Sequence, residues 1–332
     1  MGDTRTLVRG ARVGGSVVCA VLAVVTLWWV LRDLAYSDDP VELWWRWASQ
    51  PMSYSAENVI YTAGPDLFLA VVYVAVAVRV LRSTSAAVLL AVTGAVTLAL
   101  RLPSLAVLGE LPGATKLFGG PYPGAMLTTL GSLLGGVALI VLATAGSRSV
   151  PGDGSTGAPG RLSPVRARAA GAVLLLCGGI LLWWHIFLVD AMSEAETVGG
   201  PGYFATYLAP DTAPRSLLLG AGGWVTVAQT VLVLAAAGVC FARAGSARAL
   251  GLVAAGQVVV VQALALVAYA EGGIYEQFSE RDTAGQLQSL APPVLCAVAL
   301  AGLLLLLRRP PGTGQVPWQA PAPGPYAGPG PR

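Results

Sequence analysis

Long apolar runs, separated by shorter polar segments, dominate the hydrophobic pattern of this chain. A helix rises about 1.5 Å per residue, so about 20 apolar residues cross a bilayer core about 30 Å thick. The runs show neither the polar face of a surface helix nor the alternation of a barrel strand. Eight runs are long enough to predict membrane-spanning helices, at residues 12–32, 60–80, 86–106, 124–145, 169–190, 214–241, 248–271 and 289–307.

Composition supports the same class, because 55% of the residues are hydrophobic and only 11% are charged. Soluble globular proteins carry about 25% charged residues. The eight runs also leave no stretch long enough for a second, soluble domain. The sequence therefore predicts an all-α integral membrane protein with eight transmembrane helices.

The basic segment 146–168, rich in Gly, Pro and Ser, divides the chain and is predicted to be a flexible linker. Residues 1–145 and 169–309 each hold four apolar runs, and the loops on one side repeat the order long, short, long, short. We therefore predict two tandem four-helix units related by an axis along the membrane normal. Residues 310–332, rich in Pro and Gly, form a predicted disordered cytoplasmic tail.

The charges of the loops predict the orientation, because Lys and Arg in short loops stay on the cytoplasmic side. If both termini are cytoplasmic, that side holds fourteen basic and two acidic residues, against six basic and fifteen acidic outside. The asymmetry holds through every loop, which also supports the count of eight helices. Nineteen arginines against one lysine suggest GC-rich coding, and so the plasma membrane of a bacterium.

Several function classes lack any signal in the sequence. His185 is the only histidine, which excludes haem held by two histidines and His-rich zinc sites. No GxSxG, HExxH or P-loop pattern occurs, so serine hydrolase, zinc protease and ATP-driven activities are not supported. We expect no metal, no cofactor and no nucleic-acid partner, and the pattern favours a protein that is not an enzyme.

Asp66 and Arg101 are the leading candidates for a functional site, because charges inside a membrane helix are costly and so are functional by default. Their helices are joined by a turn of five residues on the inner side and must pack antiparallel. The two charges then lie at similar depth, which predicts an ion pair. Two interpretations remain open: a purely structural bridge, or a substrate or proton site in an outward cavity.

Three further polar residues complete the predicted site. Gln229 and Gln262 lie on the corresponding helices of the second half, with Gln257 deeper, and neutral hydrogen bonds between helices explain them equally well. His185 lies near the outer end of the fifth run, beside an acidic loop, where it would sense pH, relay protons or simply sit at the interface. We expect Asp66, Arg101, Gln229, Gln262 and His185 to line a substrate site.

The first outer loop carries three closely spaced tryptophans, Trp44, Trp45 and Trp47. Aromatic rings favour the headgroup level, so this loop is predicted to hold a short interfacial helix. A recognition surface for a partner protein is the alternative. In the same loop, Asp33, Asp38 and Asp39 follow the first helix as acidic residues do in polytopic glycosyltransferases that use lipid-phosphate sugar donors, a resemblance that covers this loop only.

Three functions follow as expectations. The first is ATP-independent transport or sensing of a small solute through an outward-facing polar cluster. The second is a non-catalytic membrane partner that holds another membrane or envelope protein. The third, carried by the resemblance alone, is a lipid-linked glycosyl transferase. In all three the chain is embedded in the lipid bilayer.

Overall fold

The computed structural model of the protein describes residues 4–37, 40–47, 61–83, 85–110, 122–150, 162–199, 218 and 222–308. Nine α-helices and two short strands occupy these residues. The strands are β1 (Thr4–Leu7) and β2 (Ser147–Val150). The helices are α1 (Arg9–Tyr36), α2 (Pro40–Trp47), α3 (Gly64–Val80), α4 (Ala86–Glu110), α5 (Tyr122–Ala145), α6 (Pro164–Gly199), α7 (Gly222–Phe241), α8 (Ala247–Glu271) and α9 (Thr283–Leu307).

All eight apolar runs contain a helix, and the described part of the chain is almost entirely helical. Seven of these helices are long and apolar enough to cross a membrane, namely α1 and α4 to α9. The eighth, α3, has 17 residues. The described residues therefore form a helical protein of the membrane-embedded class.

Helix boundaries differ from the predicted runs wherever polar side chains decide them. Helix α3 begins at Gly64 rather than at residue 60, because Oδ2 of Asp66 accepts a hydrogen bond from the Ala63 amide at 2.8 Å. Pro65 in its first turn needs no amide partner. Helix α9 begins six residues early, at Thr283, because the side chain of Asp282 accepts a hydrogen bond from the Gly285 amide.

The outward faces of the helices are apolar. On α1, Val17, Val24 and Leu31 recur every seven residues and are 56%, 67% and 62% exposed. Such a stripe would be unfavourable in water but fits contact with lipid tails.

Two apolar cores lie inside the molecule. The first is built from α1, α3, α4 and α5, and the second from α6, α7, α8 and α9. In the first set, α1 and α4 each contact both α3 and α5; in the second, α6 and α8 each contact both α7 and α9. Between the two sets, α3 packs against α8, and α4 packs against both α7 and α8. The two middle helices of each set therefore form the interface.

The predicted linker 146–168 is only partly a loop. Residues 147–150 form strand β2, which pairs antiparallel with β1 in the register Thr4 to Val150. Helix α6 then begins at Pro164, inside the predicted linker. The remaining linker residues 151–161 lie outside the described residues, as does the predicted tail 310–332. The pairing joins the start of α1 to the end of α5 at one end of the bundle.

Helices α4 and α5 approach each other closely at Gly94 and Gly136. A Cβ atom added at Gly94 would lie 2.5 Å from the carbonyl oxygen of Gly136. We therefore expect Gly94→Ala to lower the free energy of unfolding by about 1–3 kcal/mol through overpacking. Gly131→Ala on α5 is the matched control, because no atom lies within 4 Å of its added Cβ.

This prediction is checked by reversible unfolding of both variants in mixed micelles, followed by circular dichroism. Both substitutions replace a helical glycine by alanine, so the difference between them isolates the steric clash. Equal stability of the two variants would contradict the close packing of α4 and α5.

Candidate functional site

Asp66 and Arg101 form the predicted ion pair. Nη2 of Arg101 lies 2.6 Å from Oδ1 of Asp66, and no part of either side chain is exposed. The second carboxylate oxygen of Asp66 is held by the Ala63 amide at the start of α3. The acid is therefore fixed by its own helix end, while the arginine reaches it from α4.

A backbone carbonyl from the second half of the chain completes the surroundings of Arg101. Nη1 of Arg101 donates to the carbonyl oxygen of Leu218 at 2.7 Å, and Oγ of Ser104 donates to the same oxygen at 2.6 Å. The amide of Leu218 donates in turn to the carbonyl oxygen of Tyr61. Leu218 thus links the segment before α7 to both α4 and the residues that lead into α3.

Asp33 holds the residues that lead into α3. Its Oδ2 accepts from the Tyr61 amide at 2.9 Å, and from the amide and hydroxyl of Thr62, both at 2.7 Å. Its Oδ1 pairs with Nη1 of Arg32 at 3.0 Å. Asp33 is buried and both of its oxygens are engaged, so its carboxylate anchors the residues that lead into α3. Asp38 and Asp39, the other acids of the glycosyltransferase resemblance, lie outside the described residues.

Aromatic rings surround the partner of Asp33. The guanidinium carbon of Arg32 lies 4.4 Å from the ring centroid of Tyr61, 4.8 Å from that of Tyr36 and 5.4 Å from that of Trp29. The rings of Trp29 and Tyr61 stack at 4.9 Å. Cations are attracted to aromatic faces at these distances. The end of α1 and the start of α3 are therefore joined by charge, hydrogen bonds and ring contacts together.

The three tryptophans of the loop after α1 lie on the predicted short helix, α2. Trp44 is exposed, while Nε1 of Trp47 donates to Oγ1 of Thr62 at 3.2 Å. The side chain of Trp45 lies outside the described part of the molecule. Leu43, on the same helix, is fully buried. Helix α2 therefore packs one side onto the bundle and turns Trp44 away from it.

The glutamines differ in their surroundings. Gln229 on α7 and Gln257 on α8 are buried, with 1% and 0% exposure, whereas Gln262 is half-buried. Neither amide atom of Gln257 has a hydrogen-bond partner among the described residues, and neither has Nε2 of Gln229. A buried polar group without a partner costs about 1–3 kcal/mol, so these amides require an explanation other than packing.

Gln257 lies where α8 packs against α3. It follows Gly256, where an added Cβ would lie 3.1 Å from the ring of Phe68, two residues after Asp66. Helix α7 is tied to α4 nearby, since Nε1 of Trp224 donates to the carbonyl oxygen of Ala99. The two buried glutamines and the ion pair therefore all belong to the interface between the two sets of helices.

His185 is buried on α6, which packs against α7 and α9. Its neighbours on the helix form an aromatic group, with Trp183 and Trp184 each stacked on Phe187. His185 makes no hydrogen bond or ion pair with Asp66 or Arg101. Of the five predicted site residues, the structure therefore joins Asp66 and Arg101 directly, and it sets Gln229 in the same interface.

Sequence reasoning missed the parts of the site that act through the backbone. The carbonyl of Leu218 and the amides of Tyr61 and Thr62 carry no signal in a hydrophobic pattern. Asp33 did carry one, as an acid directly after the first apolar run, but the pattern gave no indication that it bonds to residues 61 and 62.

No group of three or more metal-ligating side chains occurs within the described ranges. Comparison of the chain with family models, with curated proteins and with solved structures finds no match of any of the three kinds.

Proposed function

We propose that this protein binds a small polar solute between two tandem four-helix units and transports or senses it without ATP. The units are α1, α3, α4 and α5, and α6 to α9, in a bacterial plasma membrane with both termini cytoplasmic. The distribution of charged residues between the two sides supports this orientation. With 17 residues, α3 is within the range of about 17–25 for a membrane span, so eight spans are proposed.

The contacts between helices support the tandem arrangement. A two-fold axis along the membrane normal would exchange α3 with α7 and α4 with α8. The contact of α3 with α8 then corresponds to the contact of α7 with α4, and α4 meets α8 across the axis. This reciprocal pattern is that of an isologous interface, as in a symmetric dimer.

The observation that carries the proposal is the unpartnered amide of Gln257. Its oxygen and nitrogen are buried where α8 packs against α3, the helix that carries Asp66 of the neutralised Asp66 to Arg101 pair. An amide offers both a donor and an acceptor, and a neutral site favours a solute without net charge. A small solute with hydroxyl or amide groups would form hydrogen bonds with the Gln257 amide and so offset the free-energy cost of burying it.

The bonds to Leu218 support a closed outer side in the described state. Arg101 and Ser104 of the first unit both donate to this carbonyl, which precedes the second unit. If both hydrogen bonds to the Leu218 carbonyl oxygen broke, Arg101 and Ser104 would each lose this acceptor. The outer ends of α4 and α7 would then be able to separate. Rocking of one unit against the other about the interface would then open the site.

We expect Gln257→Leu to weaken solute binding at least about tenfold while raising the free energy of unfolding by about 1–3 kcal/mol. The physical reason is that leucine removes two unsatisfied polar atoms but also the groups that would hold the solute. The measurement is a thermal-unfolding screen of the purified protein against amino acids, amides, polyols and sugars, followed by titration of each hit.

Thr144→Val, at an exposed position of α5 whose hydroxyl bonds to its own helix, is the control and should leave both properties unchanged. A Gln257→Leu variant that is less stable and binds every hit normally would make Gln257 a packing residue. If no neutral solute raises the unfolding midpoint of the wild type, the proposal of a solute site fails.

A second candidate, a non-catalytic partner of another membrane or envelope protein, is favoured by a different observation. Trp44 is 37% exposed, on a helix that is anchored to the bundle by Leu43 and Trp47. A rigidly held exposed tryptophan suits a contact with another membrane protein. Co-purification from native membranes of the wild type and of Trp44→Ala, with mass spectrometry of the retained proteins, distinguishes this role.

A further inference from the structure

We propose that an open groove between α6 and α7 binds one anionic phospholipid from the leaflet on the arginine-rich side of the bundle. The acyl chain lies along the groove, and the phosphate contacts Arg168 and Arg243. This site is separate from the proposed solute site and does not depend on it.

The groove has a volume of about 520 Å³, within the range of about 300–1,000 Å³ for small-molecule sites. Six of its lining residues come from α6, on one face of the helix, and the opposite wall is the ring of Phe241 at the end of α7. The ring of Phe241 packs closely on Gly171, since a Cβ atom added at Gly171 would lie 3.2 Å from it. The lining residues are Ala172, Leu175, Leu176, Gly179, Ile180, Trp183 and Phe241.

The length of the groove matches one lipid tail. Its α6 residues extend from Ala172 to Trp183, a rise of about 16 Å. Half of a bilayer core is about 15 Å. A single acyl chain that starts at the arginine-rich end would therefore fill the groove to about the midplane. Gly179 keeps the middle of the groove open, since nothing lies within 4 Å of its added Cβ.

Two exposed arginines stand at the mouth of the groove. Arg168 precedes Ala172 by four residues, so it lies on the same face of α6, one turn closer to the membrane surface. Arg243 follows Phe241 by two residues in the turn that ends α7. Neighbouring arginines are engaged elsewhere: Arg166 and Arg248 donate to backbone carbonyls at the end of α9.

The backbone at Arg243 adopts a conformation that is uncommon for a residue other than glycine. Its φ of 52° lies in the left-handed region, which costs an L-residue other than glycine about 1 kcal/mol or more. The turn is closed by the Arg243 and Ala244 amides, which bond to the carbonyls of Cys240 and Val239. A charged residue is thus held at this position by a strained but closed turn.

An anionic headgroup fits this mouth better than a zwitterionic one. Every acidic residue in the described helices and turns lies at the opposite end of the bundle, so none of the described carboxylates competes for the two guanidinium groups. Arginine binds phosphate with paired donors. Anionic lipids are also attracted to basic segments next to membrane helices.

The test is native mass spectrometry of the detergent-purified full chain, titrated with phosphatidylglycerol or phosphatidylcholine of identical acyl chains. The wild type should retain one phosphatidylglycerol in preference to phosphatidylcholine. Each arginine near an anionic surface contributes about fivefold in affinity, so Arg168→Gln with Arg243→Gln should lower phosphatidylglycerol retention at least about tenfold. Gly179→Leu should lower the retention of both lipids.

Matched controls on the first set of helices are Gly131→Leu, another glycine with open space around it, and Arg79→Gln, an exposed arginine at the same end of the bundle. Both should bind lipid as the wild type does, and unfolding midpoints verify that all variants are folded. Equal retention of the two lipids by the wild type would overturn the headgroup contact. Unchanged binding by Gly179→Leu would overturn the groove, and a second copy of the chain retained in place of lipid would replace this proposal with a dimer.

Discussion

Replacing Arg101 with leucine is expected to lower the free energy of unfolding by about 3–5 kcal/mol. The substitution leaves the buried carboxylate of Asp66 without its cation, and it removes one of the two donors to the Leu218 carbonyl. Removing one member of a buried pair costs more than the pair contributes, because the remaining charge stays desolvated. The measurement is steric trapping of the variant in bicelles, which reports unfolding within a lipid environment.

A double-mutant cycle separates this ion pair from the other contacts of the two residues. Asp66→Asn keeps an oxygen for the Ala63 amide, so it removes the charge but not the helix cap. We expect the free energy of unfolding of the double variant with Arg101→Leu to be at least about 1 kcal/mol higher than the value that additive single effects would give. Fully additive effects would show that the two side chains do not act as a pair. Arg79→Gln, on the exposed surface, should change stability by no more than about 0.5 kcal/mol.

The second large effect is expected for Asp33→Ala, which should lower the free energy of unfolding by about 3–4 kcal/mol. Hydrogen bonds to a charged group contribute about 1.5–3 kcal/mol each, although they are not additive. The substitution removes the acceptor of three bonds and leaves the amides of Tyr61 and Thr62 buried without it. Because these residues lead into α3 and hold Leu218, the loss should extend to the surroundings of Arg101.

Asp282→Ala is the matched control, because Asp282 also accepts a backbone amide but at an exposed helix start. The loss there should be that of an ordinary helix cap, about 1 kcal/mol. The same unfolding measurement in bicelles compares the two. If Asp33→Ala were as stable as Asp282→Ala, Asp33 would not be a structural anchor, and a role in binding or catalysis would have to be considered again.

The ion pair was predictable because its geometry follows from connectivity. A short inner turn forces α3 and α4 to pack antiparallel, so residues at equal distances from the turn meet at equal depth. The long side chain of arginine can still contact the carboxylate when the two backbone positions differ somewhat in depth. The positions of the eight helices were predictable for a related reason, since the thickness of a bilayer sets the minimum length of an apolar run.

The surroundings of the pair were not predictable in the same way. Leu218 contributes a carbonyl oxygen, which every residue has, so nothing in the sequence distinguishes it. The role of Asp33 depends on where residues 61 and 62 lie, and those are placed only when α1 packs against α3. Strand β2 formed inside a segment whose glycines and prolines predicted a loop, because β1 supplies a partner for its backbone.

The sequence alone determined that this chain is a helical membrane protein, where its apolar helices lie, and that Asp66 faces Arg101, because bilayer thickness and short turns act on local patterns. The tertiary structure decided which helices form the interface and which polar groups are satisfied there. It left the amide of Gln257 without a hydrogen-bond partner among the described residues and opened a groove beside Phe241. Those features depend on backbone atoms and on distant segments that meet only in the folded chain. Residue type alone therefore does not show which buried polar side chain is hydrogen-bonded and which lacks a partner among the described residues.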